Sequence, residues 1–254
     1  MSSVLQTNHS SLEWTPEKGF NSPSREDGIT YIDEMELRKK TCKMIMLACT
    51  NLNLSALPCE TAHVYFNRFF SVQSFAKHDR HLMAMACVFL SSKVEENMKR
   101  ADKIIQCFYS LWQNTAKSLD PKSISFKKLK EKLFICERVL IQTLGFNLNV
   151  DHIFVHLRSQ MKVLCNPTDP LEIKNIDSWS DSMEREFVLT SESIVCDVLR
   201  TNICLRYVPS VISACCLFFA GIHLNLPGIS MKSLGIETCQ NAEKILEEIY
   251  EIYE

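Results

Sequence analysis

Two oppositely charged residues stand where helical spacing calls for apolar ones. In "ACVFLSSKVEEN", residues 86–97, that spacing puts Leu82, Ala86, Phe89, Leu90 and Lys93 on one face. Lysine is almost never buried unless it is paired. Further on, Leu133, Leu140, Ile141 and Leu144 share a face with Glu137. A lysine donates and a carboxylate accepts. The two can therefore pair with each other, or the lysine can snorkel to water. Alternatively, both can reach a shared surface edge and bind another protein's backbone through charge-assisted hydrogen bonds. Spacing alone leaves these readings open.

Other chemistry-bearing groups point less far. His152 and His156 lie four apart, and His78 and His81 three apart, spacings seen in metal-binding pairs. No further ligand cluster lies near either pair in sequence, so surface or capping histidines are expected, with no metal and no cofactor. There is no Gly-rich phosphate loop, G-x-S-x-G elbow or H-E-x-x-H, so no catalysis is expected. The basic run "KSISFKKLKEK", Lys122 to Lys132, reads as a solvated helix face, in keeping with a net charge of -2. Ser22-Pro23 has the form of a phosphorylation site and is read as an ordinary turn.

The twelve cysteines form no C-x-x-C pair, and most lie in apolar periodic segments (Cys42, Cys87, Cys136, Cys215, Cys216). The first twenty residues carry no signal-peptide core. An intracellular, reduced protein with cysteines as small core residues is expected. The most apolar run, "VISACCLFFAG" from Val211, is too short to cross a bilayer and reads as a buried helix.

These groups must be positioned by helices. With 254 residues, 46% hydrophobic and 23% charged, the chain has the balance of a soluble globular protein, and six glycines and eight prolines leave few tight turns for strands. Residues 1–30 read as an irregular arm. Asp33 and Glu36 suggest a capping box for a first helix carrying Leu37, Thr41, Met44, Ile45, Ala48 and Leu52. Pro58 suits the first position of a second helix bearing Ala62, Tyr65, Phe66, Phe69 and Phe70. The third helix holds Lys93, a fourth runs near Ala101–Leu111, and a fifth from about Ser125 to Leu144 with Gly145 as its C-terminal cap. The pattern then recurs: "MAMACVFLSSK" corresponds to "ISACCLFFAGI", and "CERVLIQTL" to "AEKILEEIY". The second copy is shorter by about one helix, and Ile222 takes the place of Lys93, as a core helix would have it. The predicted architecture is all-α, with two tandem five-helix repeats, the second shortened, after an irregular arm. Its segments are 1–30, 31–149 and 150–254.

"RFFSVQSFAKHDRHLMAMACVFLSSKVEEN" resembles the first box of cyclins of the transcription-associated branch, and "ERVLIQTLGFNLNVDH" the end of that box. "NSPSREDGI" is similar to the arm of T- and K-type cyclins, and "LRTNICLRYVPSVISACCLFFAG" to the second box of T, K and L types. The resemblance covers about residues 20–254. It implies a non-catalytic subunit that binds and activates a transcriptional cyclin-dependent kinase. In the family, a lysine and a glutamate at the positions of Lys93 and Glu137 clamp the backbone of the kinase's regulatory helix. Val94 and Phe146 are implied apolar neighbours in that contact; Glu96 is a further candidate, which a solvated helix end explains equally well.

Three departures accompany the resemblance. Asn67 replaces the aspartate that pairs with the family's arginine, here Arg38, so that charge pair cannot form. "DHIF" stands where His-Pro-His is usual, and a Trp-Trp segment before the last helix is missing. The sequence ends at "EIYEIYE", so no His-rich, Pro-rich or Arg-Ser tail is expected. The implied setting is the nucleus, and the implied substrate of the kinase is the RNA polymerase II C-terminal repeat. No membrane or direct nucleic-acid contact is expected. The alternatives are a DNA-gripping core of the general-transcription-factor-B type and an orphan cyclin-fold interaction protein. The former is disfavoured because no cysteine precedes Cys42 to build a zinc ribbon.

Overall fold

The computed structural model of the chain describes residues 22–113, 119–165 and 179–253. Within them are eleven helices and no strand. The start of the predicted arm, residues 1–21, lies outside the described residues. Its end is not irregular: Pro23–Glu26 forms a short helix, α1, with Ser22 as N-cap. Ser22 Oγ donates to Glu34 at 2.6 Å and is nearly buried, and the Ser24 hydroxyl accepts from the Phe75 N–H at 3.1 Å. Both serines are structural pegs.

Five helices then build the first layer: α2 (Tyr31–Asn51), α3 (Ala56–Val72), α4 (Arg80–Val94), α5 (Ala101–Gln113) and α6 (Ile124–Thr143). The cap of α2 is Thr30, which accepts from the Asp33 N–H at 3.1 Å, one turn earlier than the Asp33–Glu36 box predicted. Glu36 instead pairs with Lys40, one turn on. Pro58 is the third residue of α3, since Ser55 is the cap. It still lies in the first turn, where a missing N–H goes unnoticed. Tyr65, Phe66, Phe69 and Phe70 fill the core, and α4 is the central element, buried without interruption from Met83 to Ser92. Helices α2, α3, α5 and α6 all pack around it.

The second layer repeats the plan: α7 (Ile153–Cys165), α8 (Asp181–Val198), the short α9 (Ile203–Arg206), α10 (Pro209–His223) and α11 (Ala242–Tyr253). Helix α10 takes the central role, with α7, α8 and α11 around it. The predicted shortening is the loss of the fourth helix: residues 224–241 are turns folded directly onto α10. Gly221 makes that approach possible, because a Cβ there would lie 2.5 Å from Ile229 Cγ2.

Buried polar groups join the layers. Glu60 of α3 is fully buried and accepts from the backbone N–H groups of Ile153 (2.5 Å) and Phe154 (3.3 Å), the first turn of α7. His152 lies 3.3 Å from Glu60 and 3.4 Å from Glu95. Thr61 donates to Glu95 at 2.7 Å. The "DHIF" departure thus opens α7, whose first N–H groups are capped by Glu60. Nearby, Arg38 is buried and pairs with Glu34 at 3.1 Å, and it also donates to the Asn67 side-chain oxygen at 2.8 Å. Asn67 supplies the acceptor that an aspartate would, while Glu34 supplies the charge. The Asn67 amide in turn donates to the Leu199 carbonyl at 3.2 Å, across the joint, which an aspartate could not do.

Replacing Gly221 with alanine is expected to destabilise the chain by about 1–3 kcal/mol in urea unfolding, through overpacking against Ile229. Adding Ile229→Ala should recover part of that loss. Burial alone lowers the His152 pKa, but Glu60 and Glu95 together outweigh it and raise the pKa above 6.5. A raised folded pKa gives stability that is fully present below 6.5 and lost as pH rises through the folded value. The stability advantage of wild type over His152→Gln should therefore be larger at about pH 6 than at about pH 8.5.

Candidate functional site

Helix α4 is buried from Met83 to Ser92, and its last turn then emerges from the bundle. There Lys93 Nζ meets Glu137 Oε1 of α6 at 2.6 Å. The same ammonium lies 3.8 Å from the centroid of the Phe89 ring, one turn back. The Lys93 side chain is 37% exposed and that of Glu137 12%. This corrects the expectation of a lysine within the buried stripe. The stripe continues in helical phase past the point where neighbouring helices cover it. The matching Ile222 is 46% exposed, so this position reaches the surface in both layers and is not a core position. Of the readings left open by spacing, the ion pair is made, and it is made at a surface edge.

The remaining predicted residues occupy the ends of the same two helices. Val94 is half-buried against the first core. Glu96 is exposed just beyond the C-cap of α4, with a left-handed backbone (φ 53°). Phe146 follows Gly145 at the end of α6; both are left-handed, at φ 60°, and the Phe146 ring is 74% exposed. Its N–H donates to the Ile141 carbonyl at 3.1 Å, which holds the ring outward. A bulky residue in this region is strained. The Glu96 N–H donates to the Lys93 carbonyl at 3.3 Å, but among the described residues no side-chain hydrogen bond, ion pair or ring contact joins Glu96 or Phe146 to the Lys93–Glu137 pair.

Two further residues belong to the site. Phe134, 40% exposed and three residues before Glu137, packs its ring 5.9 Å from that of Phe89 and flanks the pair. Its position on the Glu137 side of α6 was a readable signal. Glu95 anchors the end of α4 through Thr61 and His152. Nothing in the local sequence separates it from the exposed Glu96.

The other candidates have separate structural partners. His156 bonds to Asp151 at 2.7 Å, His78 to Gln73 at 3.1 Å, and His81 lies beside Trp112. Lys130 pairs with Asp102 at 2.7 Å, and Lys127 and Lys128 face solvent. Among the described residues, no group of three or more His, Cys, Asp or Glu side chains is arranged to hold a metal, and no helix is long and apolar enough to cross a membrane.

Comparison with known proteins bears on what such a surface is. Residues 9–149 match the family model for the cyclin N-terminal domain. Mouse cyclin-T1 is 28% identical over 220 residues, covering 87% of this chain and 28% of that protein. Human cyclin-L1 is 30% identical over 209 residues, covering 81% and 37%. The chain thus spans roughly a third of the length of these relatives. Among solved structures, the yeast RNA Pol II CTD kinase CTDK-1 complex contains a chain that superposes with a TM-score of 0.71 at 16% identity, covering 91% of this chain and 70% of that one. A chain of the yeast TFIIK (Kin28/Ccl1/Tfb3) complex gives 0.64 at 18% identity, covering 90% and 88%. The paired helical layers are the fold of those chains, and the matched segment takes in more than half of the sequence: the chain belongs to the cyclin family.

Proposed function

We propose that this cyclin is the non-catalytic regulatory subunit of a transcriptional cyclin-dependent kinase, acting in the nucleus to promote phosphorylation of the RNA polymerase II C-terminal repeat. Residues 31–149 and 150–254 are taken as its two boxes and residues 1–30 as the arm. The observation that carries the reading is the Lys93–Glu137 pair, preformed at an exposed edge beside Phe89 and Phe134. The T- and L-type identity of its relatives and the kinase complexes among its structural neighbours support it.

The magnitudes favour docking. A solvent-exposed ion pair contributes about 0–1 kcal/mol, so opening it costs little. Each charged hydrogen bond to a partner's backbone contributes about 1.5–3 kcal/mol. Lys93 would donate to carbonyls and Glu137 would accept from N–H groups at an end of the kinase's regulatory helix, where such groups lack helical partners. An active kinase needs that helix turned in, so that its glutamate pairs with the β3 lysine. A rigid surface that binds only the turned-in state shifts the population toward it. The fixed end of α4, held by Glu95, gives the surface that rigidity.

The test is affinity purification from native cells of wild type and a Lys93→Glu, Glu137→Lys double variant, with eluates assayed on a polymerase-repeat peptide. The exchange preserves an ion pair between α4 and α6 but inverts the order of donor and acceptor offered to a partner. Kinase activity should co-elute with wild type and fall at least about tenfold in the variant, while helicity is retained. Equal activity in both would refute the clamp, and a kinase-free wild type that retards DNA would replace the cyclin-subunit reading. A second variant, Phe146→Gly, relieves a left-handed backbone. It should leave stability unchanged or raise it by up to about 1 kcal/mol, yet weaken kinase capture.

A further inference from the structure

The corner between α2 and α3 holds a cluster that the docking surface does not use. His63 is buried, and both of its ring nitrogens face carbonyl oxygens: Nδ1 lies 2.7 Å from Cys59 O, and Nε2 lies 3.0 Å from Cys42 O. A neutral imidazole has one N–H, and would leave the lone pair of its other nitrogen against a carbonyl lone pair. Only the imidazolium satisfies both contacts. A buried cation needs a counter-charge. The nearby sulfur of Cys59 lies 3.8 Å from Nδ1. Cys59 also sits near the N-terminal end of α3, where the helix dipole favours an anion, and it is partly exposed.

We propose that Cys59 is a thiolate paired with the His63 imidazolium, that it is a modification site for peroxides and soft electrophiles, and that Cys49 is its resolving thiol. The titratable groups facing Cys59 are Cys49 and Cys42 on α2, His63 on its own helix and Cys196 on α8, with Cys107 of α5 beside Cys49. The neighbouring Cys49 thiol, acting as a donor, and next to it His63 outweigh burial and hold Cys59 down at about 5, while Cys49 itself is pushed well up. Burial opposes charge on His63, and Cys59 and the Cys42 carbonyl together more than offset it.

Attack of the Cys59 thiolate on hydrogen peroxide breaks the O–O bond, oxidises the sulfur to a sulfenic acid and releases hydroxide, which takes up a proton as water. Cys49 then loses its proton and attacks the sulfenic sulfur. This displaces a second hydroxide, which leaves as water, and forms the S–S bond. Two thiols and one peroxide give one disulfide and two waters. Thiol reductants reverse it. Intracellular disulfides are usually of this transient kind.

The test is peptide-resolved alkylation of the full chain with iodoacetamide across pH, followed by peroxide treatment. Cys59 should react faster than Cys136 and Cys239, which are also partly exposed, and its rate should be flat above about pH 7 while theirs climb toward pH 9. Peroxide should link the Cys49 and Cys59 peptides. In Cys49→Ser, Cys59 should instead be trapped as a sulfenic acid by dimedone. In His63→Gln, checked for retained helicity, the rise of the Cys59 rate should move to higher pH than in wild type. A Cys59 rate in wild type that is no faster than its neighbours and climbs toward pH 9 overturns the thiolate. Peroxide treatment that leaves Cys59 a free thiol, or links it elsewhere, overturns the modification site.

Discussion

A fully buried carboxylate, Glu60, ties the second layer to the first. Glu60 has no exposure, and an unpaired charge in that position would cost several kcal/mol. It is satisfied by the first backbone N–H groups of α7 and by His152. These donors belong to the second layer, so α7 can begin only where Glu60 lies. The same imidazole reaches Glu95, which Thr61 also holds. The constraint that docks the second layer on the first therefore also fixes the last turn of α4. Arg38, Glu34 and Asn67 provide a second buried tie a short way along the same joint.

From that constraint the exposed pair follows. Helix α4 packs against four helices and is buried from Met83 to Ser92, and it then emerges at the turn held by Glu95. Lys93 emerges there with its stem along Phe89 and its charge against Glu137. The lysine is thus already fixed in direction before any partner arrives, which reduces the entropy lost on binding. In the second layer, the same position carries an isoleucine and the fourth helix is absent. The two layers share a packing plan, and only the first presents an ordered charge pair at this point.

Much of this was legible in the sequence because helical phase is a local property. The two central helices, the aromatic run of α3 and the shared face of Glu137 all follow from it, and the shorter spacing between the matching segments of the second copy shows the loss of about one helix. The errors arise where phase gives no answer. Lys93 keeps the phase of a buried stripe, but how far neighbours extend over α4 is a tertiary matter. Thr30 and Asp33 are three residues apart and both can cap, so the start of α2 was ambiguous by one turn. Asn67 reads as a lost charge because its replacement, Glu34, comes from another position, one turn from Arg38 on the same helix. Glu60, Glu95 and His152 were beyond reach: their partners are distant in sequence, and each reads locally as an ordinary surface residue.

The central claim is that the ends of α4 and α6 are the face that meets a kinase. The most direct measurement is amide hydrogen exchange on the purified chain, alone and in complex with the kinase that co-purifies with it. The account predicts added protection at residues 89–98 and 134–146, with α8 and α11 unchanged. Protection confined to the second layer, with the ends of α4 and α6 exchanging as in the free chain, would contradict it.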